Sequence, residues 1–459
     1  MSVAVVLFTA DLRLHDNPVL HAAVGEADEV VPLFVVDSGV RGTGFAVPNR
    51  AAFLADSLAA LDAGLRARGG RLVVRRGGVV EETCRVAAET GARTVHTAAG
   101  VSGYADRREG ALRAALQSDG RDLRVHDGSQ TIVPPGTVLP TGRKDHFAVF
   151  SAYFRRWADV PRRPVLAAPR RVRVPGVAGD DLPDARSLVP RAAWEAPAPG
   201  LPRGGEDAAR RRLAAWLRGP LDAYADRHDD LAADATSRLS ADLHFGCLSA
   251  AEVRDRAERR GGPGAEAYVR QLAWRDFHHQ VLAARPDAAR RDYRTRGDRW
   301  RSDERAADAW REGRTGYPLV DAAMRQLRHE GWMHNRARLV TACFLTKYLY
   351  VDWRVGAAHF LRHLVDGDLA NNQMNWQWIA GTGTDSRFNR LLDPVAQARR
   401  YDPAGEYVRR WVPELAGVTG AGVHRPWRLP DGERAATGYP PPLLDLRPAA
   451  DRFMAHRKP

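Results

Sequence analysis

One stretch of the chain, residues 366–378, combines side chains that could hold a polar cofactor. It reads Asp-Gly-Asp-Leu-Ala-Asn-Asn-Gln-Met-Asn-Trp-Gln-Trp, so two carboxylates, several carboxamides and two indoles lie between apolar flanks. Carboxylates and amides are costly to bury unless they are hydrogen-bonded, which means that either the protein or a bound molecule must partner them. A helix capped by Asp368, with both tryptophans in the core, is the plainer interpretation and is favoured by this stretch taken alone.

A second group of candidates lies upstream. Tyr224 precedes Thr-Ser-Arg-Leu-Ser at 236–240, a run of hydroxyls beside an arginine. Hydroxyls and backbone N–H groups at a helix start are suited to bind phosphate, although the same residues also form ordinary helix caps. Three further motifs place polar and aromatic side chains between apolar helical positions. They are Trp-Arg-Asp-Phe at 274–277, Thr-Gly-Tyr-Pro-Leu-Val-Asp at 315–321 and Gly-Trp-Met-His-Asn-Arg at 331–336.

The N-terminal residues 1–130 alternate short β-branched runs with amphipathic helical pattern. Strands are predicted at 3–8, 30–36, 72–75, 94–97 and 123–126, and helices near 18–25, 49–68, 80–90 and 104–117. This alternation predicts a Rossmann-like, doubly wound parallel sheet of about five strands with helices on both faces. The first strand-to-helix turn has no Gly-x-Gly-x-x-Gly, so we do not expect this α/β domain to hold the main cofactor.

The pattern changes twice beyond this domain. Nine prolines fall between 161 and 202 without sustained periodicity, which is typical of an irregular connector. Further on the periodicity is helical only, with helices predicted near 207–217, 250–259, 265–284, 304–312, 319–329, 336–349 and 355–365. The sequence therefore predicts an α/β domain at 1–130, a linker at 131–204 and an all-helical domain at 205–459.

Composition narrows the classes of function. A chain of 459 residues exceeds one usual core, so two domains are expected. The formal charge of +13 favours a polyanion such as nucleic acid as partner, although arginine-rich helices alone would give the same excess. The three cysteines lie far apart with no Cys-x-x-Cys, which indicates buried thiols in a reducing compartment and no metal site. With no signal peptide or spanning stretch evident, we expect a cytoplasmic protein.

Taken in order, these motifs resemble the cryptochrome/photolyase family, specifically bacterial class I cyclobutane pyrimidine dimer photolyases. The resemblance includes Asp-Leu-Arg-Leu-His-Asp-Asn-Pro at 11–18 and covers nearly the whole chain. It implies that the helical domain binds reduced FAD non-covalently and that light drives an electron from FAD to a flipped-out pyrimidine dimer in DNA and back. The expected form is a monomer, associated with the nucleoid through DNA, that needs neither a membrane nor a protein partner.

The resemblance also implies roles for individual residues. Those matching FAD contacts are Tyr224, Thr236, Ser237, Arg238, Leu239, Ser240, Gln271, Trp332, Asn335, Arg338, Asp366, Asp368 and Asn372. Those matching DNA contacts are Trp274, Arg275, Arg336, Leu339, Trp378 and His228. Asn372, Gln271 and Trp274 match the catalytic centre, and Trp376, Trp353 and Trp300 match an electron-transfer chain from flavin to surface. For any single tryptophan, packing in the core is the more ordinary role.

Two positions keep other functions open. Gln271 stands where many dimer photolyases have Glu, and an amide keeps hydrogen bonding but holds no charge. (6-4) photolyases share this Gln, yet they have histidines where this chain has Asn335 and Leu339. Asn372 is typical of repair enzymes, whereas sensors often have Asp or Cys there. The main alternative is a cryptochrome-type blue-light sensor without repair activity, and a non-catalytic DNA-binding protein would leave 366–378 unexplained.

An antenna pigment is expected in the N-terminal domain. Residues 33–37 and 104–108 are more similar to relatives that bind a deazaflavin than to those that bind a folate, and Ala105 occupies the position of the folate-type glutamate. An ordinary strand end and helix start would give the same sequence, and a domain without pigment is the other interpretation.

Overall fold

The structure, a computed structural model, describes residues 1–385 and 387–457, without the side chain of Arg41. The predicted helical domain at 205–459 therefore includes three residues, 386, 458 and 459, that lie outside this description. The N-terminal layer is a parallel five-stranded sheet in the order β3-β2-β1-β4-β5. Its strands are β1 (Val3–Leu7), β2 (Glu29–Asp37), β3 (Val73–Gly77), β4 (Thr94–Ala98) and β5 (Asp122–His126). Its helices are α1 (Pro18–Glu26), α2 (Ser38–Arg41), α3 (Pro48–Arg66), α4 (Val79–Thr90) and α5 (Gly103–Ser118).

The central strand β1 shows why this layer is covered on both faces. Ala4 and Val6 enter one apolar core, whereas Val5 and Leu7 enter a second core on the opposite face. Successive strand side chains point to opposite faces, so a continuous apolar strand requires helices on each side. The predicted doubly wound sheet is confirmed, and every predicted strand and helix of this layer is present with ends shifted by at most two residues.

The connector at 131–204 contains one regular element that the sequence pattern did not predict. Helix α6 (Phe150–Asp159) buries Phe150, Tyr153 and Trp157 along one face. The rest of the connector is mostly irregular, as its proline content predicts. One short 3₁₀ turn lies at Arg191–Ala193.

A single buried carboxylate ties this connector to the helical part. Asp276 Oδ2 accepts hydrogen bonds from the backbone nitrogens of Ile132 and Val133, at 3.0 and 2.9 Å, and from Trp157 Nε1 at 2.9 Å. Asp276 is fully buried. Because a buried carboxylate is costly without such partners, the pairing fixes the connector against the helix that carries Asp276.

The remainder of the described chain is helical. Its α-helices are α7 (Glu206–Arg218), α8 (Tyr224–Arg227), α9 (Ser240–Phe245), α10 (Ala250–Arg260), α11 (Pro263–Ala284), α12 (Glu304–Arg311), α13 (Pro318–Glu330), α14 (Asn335–Cys343), α15 (Trp353–His363), α16 (Leu369–Ala380), α17 (Pro394–Tyr401), α18 (Glu406–Trp411), α19 (Asp431–Thr437) and α20 (Leu446–His456). All seven helices predicted here are present, and the one predicted at 336–349 consists of α14 followed by a π-helical turn at Phe344–Tyr348.

Helix α16 lies at the centre of this helical part. It packs against α11, α14 and α15, and so the stretch 366–378 is enclosed by other helices. No helix in the described ranges is long and apolar enough to span a membrane.

Candidate active site

A cavity of about 400 Å³ opens between α9, α11, α14 and α16. Its wall contains every residue that the family resemblance assigns to FAD, namely Tyr224, Thr236, Ser237, Arg238, Leu239, Ser240, Gln271, Trp332, Asn335, Arg338, Asp366, Asp368 and Asn372. Of the residues assigned to DNA, those in the wall are Arg275, Arg336, Leu339 and His228. Trp274 and Trp378 lie outside the wall.

The hydroxyl-rich segment at 236–240 forms one end of the cavity. Arg238 adopts a left-handed backbone conformation, with φ of 51°, that is uncommon for a residue with a side chain. Its guanidinium bonds to Asp234 and Glu330, at 2.6 and 3.0 Å, and lies 4.2 Å from the centre of the Trp332 ring. These contacts hold the turn, while Thr236 Oγ1 is buried without a partner in the protein.

An ion pair also lies in the cavity wall. Arg338 Nη2 donates to Asp366 Oδ2 at 2.8 Å, and Arg338 Nε donates to the Met333 carbonyl at 2.8 Å. Arg50 of the α/β layer approaches the same carboxylate, and burial lowers its pKa to about 9 despite the attraction of Asp366. Asp366 Oδ1 is buried and has no partner in the protein, so it is available to a bound molecule.

The sequence left two alternative roles for Asp368, as a helix cap or as a polar group facing a cofactor, and the structure gives it both positions. Its Oδ1 caps α16 by accepting from Asn371 N at 2.7 Å and also accepts from Asn371 Nδ2 at 2.9 Å. Its Oδ2 lies 3.0 Å from His279 Nε2. Burial alone would raise the pKa of Asp368, but the attraction and hydrogen bond of His279, helped by Arg275, hold it well below its usual value. The carboxylate therefore stays ionised in the cavity wall.

The two candidate catalytic amides differ in surroundings. Asn372 is 9% exposed, and its Nδ2 donates to the Ala357 carbonyl at 3.1 Å and to Gln373 Oε1 at 3.0 Å, which fixes the plane of the amide. Gln271 lies on α11 and is exposed to solvent. The cavity thus has a fixed amide in its interior and an accessible amide at its mouth.

The aromatic candidates for DNA stacking are half-buried. The Trp274 ring stacks on Phe150 of α6, with ring centres 3.7 Å apart and planes 7° from parallel. The Trp378 ring has Arg390 at 5.2 Å from its centre. One face of Trp274 is therefore covered by a residue that the sequence analysis did not select.

The charged candidates for DNA contact already have protein partners. Arg275 donates to the Gln130 carbonyl at 2.6 Å and to the Leu243 carbonyl at 3.3 Å. Arg336 pairs with Asp229 through two nitrogens. His228 Nδ1 lies 2.9 Å from the Tyr224 carbonyl.

The three tryptophans assigned to electron transfer differ in their burial. Trp376 lines the cavity, Trp353 is fully buried, and Trp300 is half-buried. Trp353 Nε1 donates to Asp292 at 2.9 Å. Gly356 accommodates Trp376, because a Cβ at this position would overlap the indole.

Comparison with known proteins identifies this arrangement. A family model described as DNA photolyase matches residues 4–170, and one described as the FAD binding domain of DNA photolyase matches residues 268–458. A deoxyribodipyrimidine photo-lyase of Streptomyces griseus is 64% identical over 454 residues, covering 99% of this chain and 98% of that protein. The chain belongs to the DNA photolyase family. The Escherichia coli photo-lyase is 32% identical over 99% of this chain and 98% of its own length.

Solved structures agree with this membership. A class III photolyase of Agrobacterium tumefaciens superposes with a TM-score of 0.90 at 32% identity, covering 99% of this chain and 97% of that one. A Synechocystis cryptochrome superposes with a TM-score of 0.90 at 28% identity, covering 99% of both chains. The expected photolyase fold, with an N-terminal Rossmann-like layer and a helical FAD-binding part, is confirmed.

The residues around the cavity fit FAD. Two buried polar atoms of the wall, Thr236 Oγ1 and Asp366 Oδ1, have no protein partner. Such atoms are costly unless a ligand supplies the missing hydrogen bonds. Among the described residues, no group of His, Cys, Asp and Glu could hold a metal ion.

Sequence reasoning missed several polar residues of the site. His278 Nδ1 lies 3.1 Å from Asn371 Oδ1, and the His278 ring lies 5.6 Å from that of Trp274. His279 partners Asp368, as described above. The available signal was spacing, because Gln271, Trp274 and His278 recur at three- and four-residue intervals on α11 and so share one face.

Three histidines in and around the site, of which His278 and His334 are buried and His244 is half-buried, make stability depend on pH. Burial lowers the pKa of His244, His278 and His334 to about 4, from an ordinary value of 6.5. Between these values the unfolded chain binds protons that the folded chain excludes. The contribution of these neutral histidines to the free energy of unfolding is therefore fully present above pH 6.5, and it is lost as the pH falls towards 4.

We predict that His278→Gln flattens this dependence. The glutamine keeps a donor for Asn371 but removes one titrating group, so the slope of unfolding free energy against pH between 4.5 and 6.5 should fall by about 1 kcal/mol per pH unit. Urea unfolding at a series of pH values measures both slopes. Identical slopes for the variant and the unmodified protein would contradict the lowered pKa of His278.

Proposed function

We propose that the protein is a deoxyribodipyrimidine photolyase that repairs cyclobutane pyrimidine dimers in DNA under blue light. The observation that carries the proposal is the single cavity whose wall unites all thirteen residues matched to FAD and whose mouth presents Gln271. The 64% identity to a photo-lyase along almost the whole chain supports the same reaction. Since the substrate is DNA, we place the enzyme with the nucleoid in the cytoplasm, acting as a monomer without a protein partner.

We propose a different role in cofactor binding for each part of the cavity wall. Hydroxyls of the 236–240 segment bind the cofactor phosphates, while Asp366, Asp368 and Asn372 surround its ring system. If bound there in its reduced form, FAD would supply, on excitation by light, the electron that opens the cyclobutane ring and would recover it afterwards. The Arg338–Asp366 pair keeps its charges in the cavity wall, and the Asn372 amide is fixed by two hydrogen bonds, so both present a polar surface that is already ordered.

The proposed substrate site is the mouth of the cavity. Enzymes that act on a base within DNA extrude it from the stack, and Trp274 and Trp378 offer apolar ring faces to a flipped dimer. Base stacking on an aromatic side chain contributes roughly 1–3 kcal/mol per base. Phe150 keeps the Trp274 ring in place from behind. Gln271 then hydrogen-bonds to the base edges as both donor and acceptor.

Arg275, Arg336, Leu339 and His228 are proposed to complete the DNA contact. Arg336 would exchange Asp229 for a backbone phosphate, so part of the new interaction offsets a pair that is lost. Together with the net charge of +13, this contact makes binding weaker as salt concentration rises.

The blue-light sensor is the second candidate, because the fold superposes equally well on a cryptochrome. The fold therefore does not separate repair from sensing, and the decision lies with individual residues. Asn372 favours repair over sensing. The absence of histidine at positions 335 and 339 argues separately against the (6-4) lesion as substrate.

We also propose that Trp376, Trp353 and Trp300 carry an electron from the protein surface to oxidised FAD, which restores the reduced cofactor. The three indoles lead from the cavity wall through the core to a half-buried position. We retain the division at 1–130, 131–204 and 205–459 as a proposal for the antenna domain, the linker and the FAD-binding domain.

An antenna pigment is proposed for a second cavity of about 270 Å³ at the carboxyl ends of β2 and β3. Its wall includes Asp37, Tyr104, Arg107 and Arg108, and the Tyr104 hydroxyl bonds to Asp37. We favour a deazaflavin over a folate. Chromatography of the pigments released by denaturing the purified protein should yield a deazaflavin beside FAD, and release of a folate would contradict this choice.

The central prediction concerns repair. Purified protein with reduced FAD should remove a thymine dimer from an oligonucleotide under blue light but not in the dark, because ring opening requires the excited cofactor. The product is measured by chromatography of the oligonucleotide. An oligonucleotide with a (6-4) lesion should stay unchanged. Full FAD content without any repair would favour the sensor. Repair of the (6-4) lesion would contradict the argument that Asn335 and Leu339, in place of histidines, exclude this lesion as substrate.

A further prediction tests Asn372. Asn372→Asp places a carboxylate beside the reduced, anionic cofactor, so the reduction potential of FAD should fall by about 60 mV or more, equivalent to tenfold in a one-electron equilibrium. Spectroelectrochemical titration measures the potential. Asn372→Ser is the control, since it removes the same amide without adding charge. Equal potentials in the two variants would show that charge at this position is not what matters.

A further inference from the structure

The proposed tryptophan chain has an aromatic neighbour at its outer end. The rings of Trp300 and Tyr350 have centres 5.1 Å apart and planes inclined by 47°. The backbone nitrogen of Arg301 donates to the Tyr350 carbonyl at 2.8 Å, so the two segments are joined directly beside the rings. Trp300 is half-buried, whereas Tyr350 is only 1% exposed.

The Tyr350 hydroxyl faces a proton acceptor. It donates to Asp298 Oδ1 at 3.0 Å, and the Asp298 side chain is 2% exposed. Asp298 is also paired with Arg457, with Nη2 to Oδ2 at 2.8 Å. Burial raises the pKa of Asp298, and burial together with Asp298 raises the pKa of Tyr350 to about 12. At neutral pH the phenol is therefore protonated and hydrogen-bonded to a carboxylate.

The backbone at Tyr350 is held in an unusual conformation. Its φ of 58° lies in the left-handed region that bulky residues rarely adopt. Such conformations persist where the surrounding structure over-determines them, and they occur preferentially at functional sites. Phe453 and His456 contact the other sides of the ring, with centres 6.2 and 5.0 Å away. The ring is thus held between Trp300 and helix α20.

We propose that Tyr350 is the terminal electron donor of the tryptophan chain and that Asp298 accepts its proton. The proposal rests on the proposed electron-transfer role of Trp300. The oxidant is the Trp300 radical cation, which forms when light-driven reduction of oxidised FAD draws an electron through the chain.

The step balances in electrons and protons. One electron moves from Tyr350 to the Trp300 radical cation, which returns to a neutral indole. The phenolic O–H bond breaks, and the proton forms an O–H bond with the Asp298 carboxylate. A radical cation and a carboxylate are replaced by a neutral tyrosyl radical and a carboxylic acid. The charge does not return unless the proton moves back, and so the electron delivered to FAD is retained.

Flash excitation of the full-length protein with oxidised FAD tests this step. Electron paramagnetic resonance and transient absorption should show a tryptophan radical that converts to a tyrosyl radical. Tyr350→Phe keeps the ring and removes only the hydroxyl, so the tyrosyl signal should be lost and the tryptophan radical should persist. Tyr348→Phe is the matched control, because that buried tyrosine contacts Phe344 rather than Trp300, and its tyrosyl signal should be retained. The conversion should also slow in D₂O, since a proton moves with the electron.

Two outcomes would overturn the proposal. A deprotonated tryptophan radical as the final species in all three proteins would place the end of the chain at Trp300. No tryptophan radical in any of them would remove the oxidant that Tyr350 requires. Repair by unmodified protein whose FAD has been reduced chemically needs no electron from the chain, so that measurement tests the proposed photolyase function separately.

Discussion

The need to partner two carboxylates inside the helical part governs this structure. Asp366 and Asp368 lie in the connection between α15 and α16, where Asp366 is buried and Asp368 is half-buried. Each therefore requires a cationic or hydrogen-bonding partner from another helix, supplied by Arg338 for the first and His279 for the second. The pairs fix α11, α14 and α16 relative to one another, and the cavity is the space that this arrangement leaves between them. One oxygen of Asp366 stays unpaired, which makes the cavity selective for a ligand with hydrogen-bond donors.

Much of the architecture could be predicted from local sequence. The β-branched runs identified every strand of the sheet, and three- and four-residue apolar spacing identified the long helices, because both patterns report burial on a single face. Helix α16 was recognisable only as a capped stretch, since it is buried on several sides and carries polar residues within. The π-helical turn after α14 could not be read from periodicity, which continues across it.

The features of the site that the sequence did not predict depend on contacts between distant parts of the chain. The match to a known family located the residues of the cavity wall, but it did not indicate that Phe150 stacks on Trp274, because α6 lies in a segment whose composition suggested only a connector. The partnership of His279 with Asp368 joins residues 89 positions apart and has no local signature. Arg275 and Arg336 were assigned to DNA through the family resemblance, whereas the carbonyls and carboxylate that they bind become visible only in the folded chain.

The three hydrogen bonds accepted by Asp276 also bear on the order in which the chain folds. They join positions separated by 144, 143 and 119 residues, so these contacts of the connector and α6 cannot form until α11 has been synthesised. Contacts of such long range form slowly because a large loop must close first. During synthesis the sheet is complete before α11 is available to pack against the aromatic face of α6.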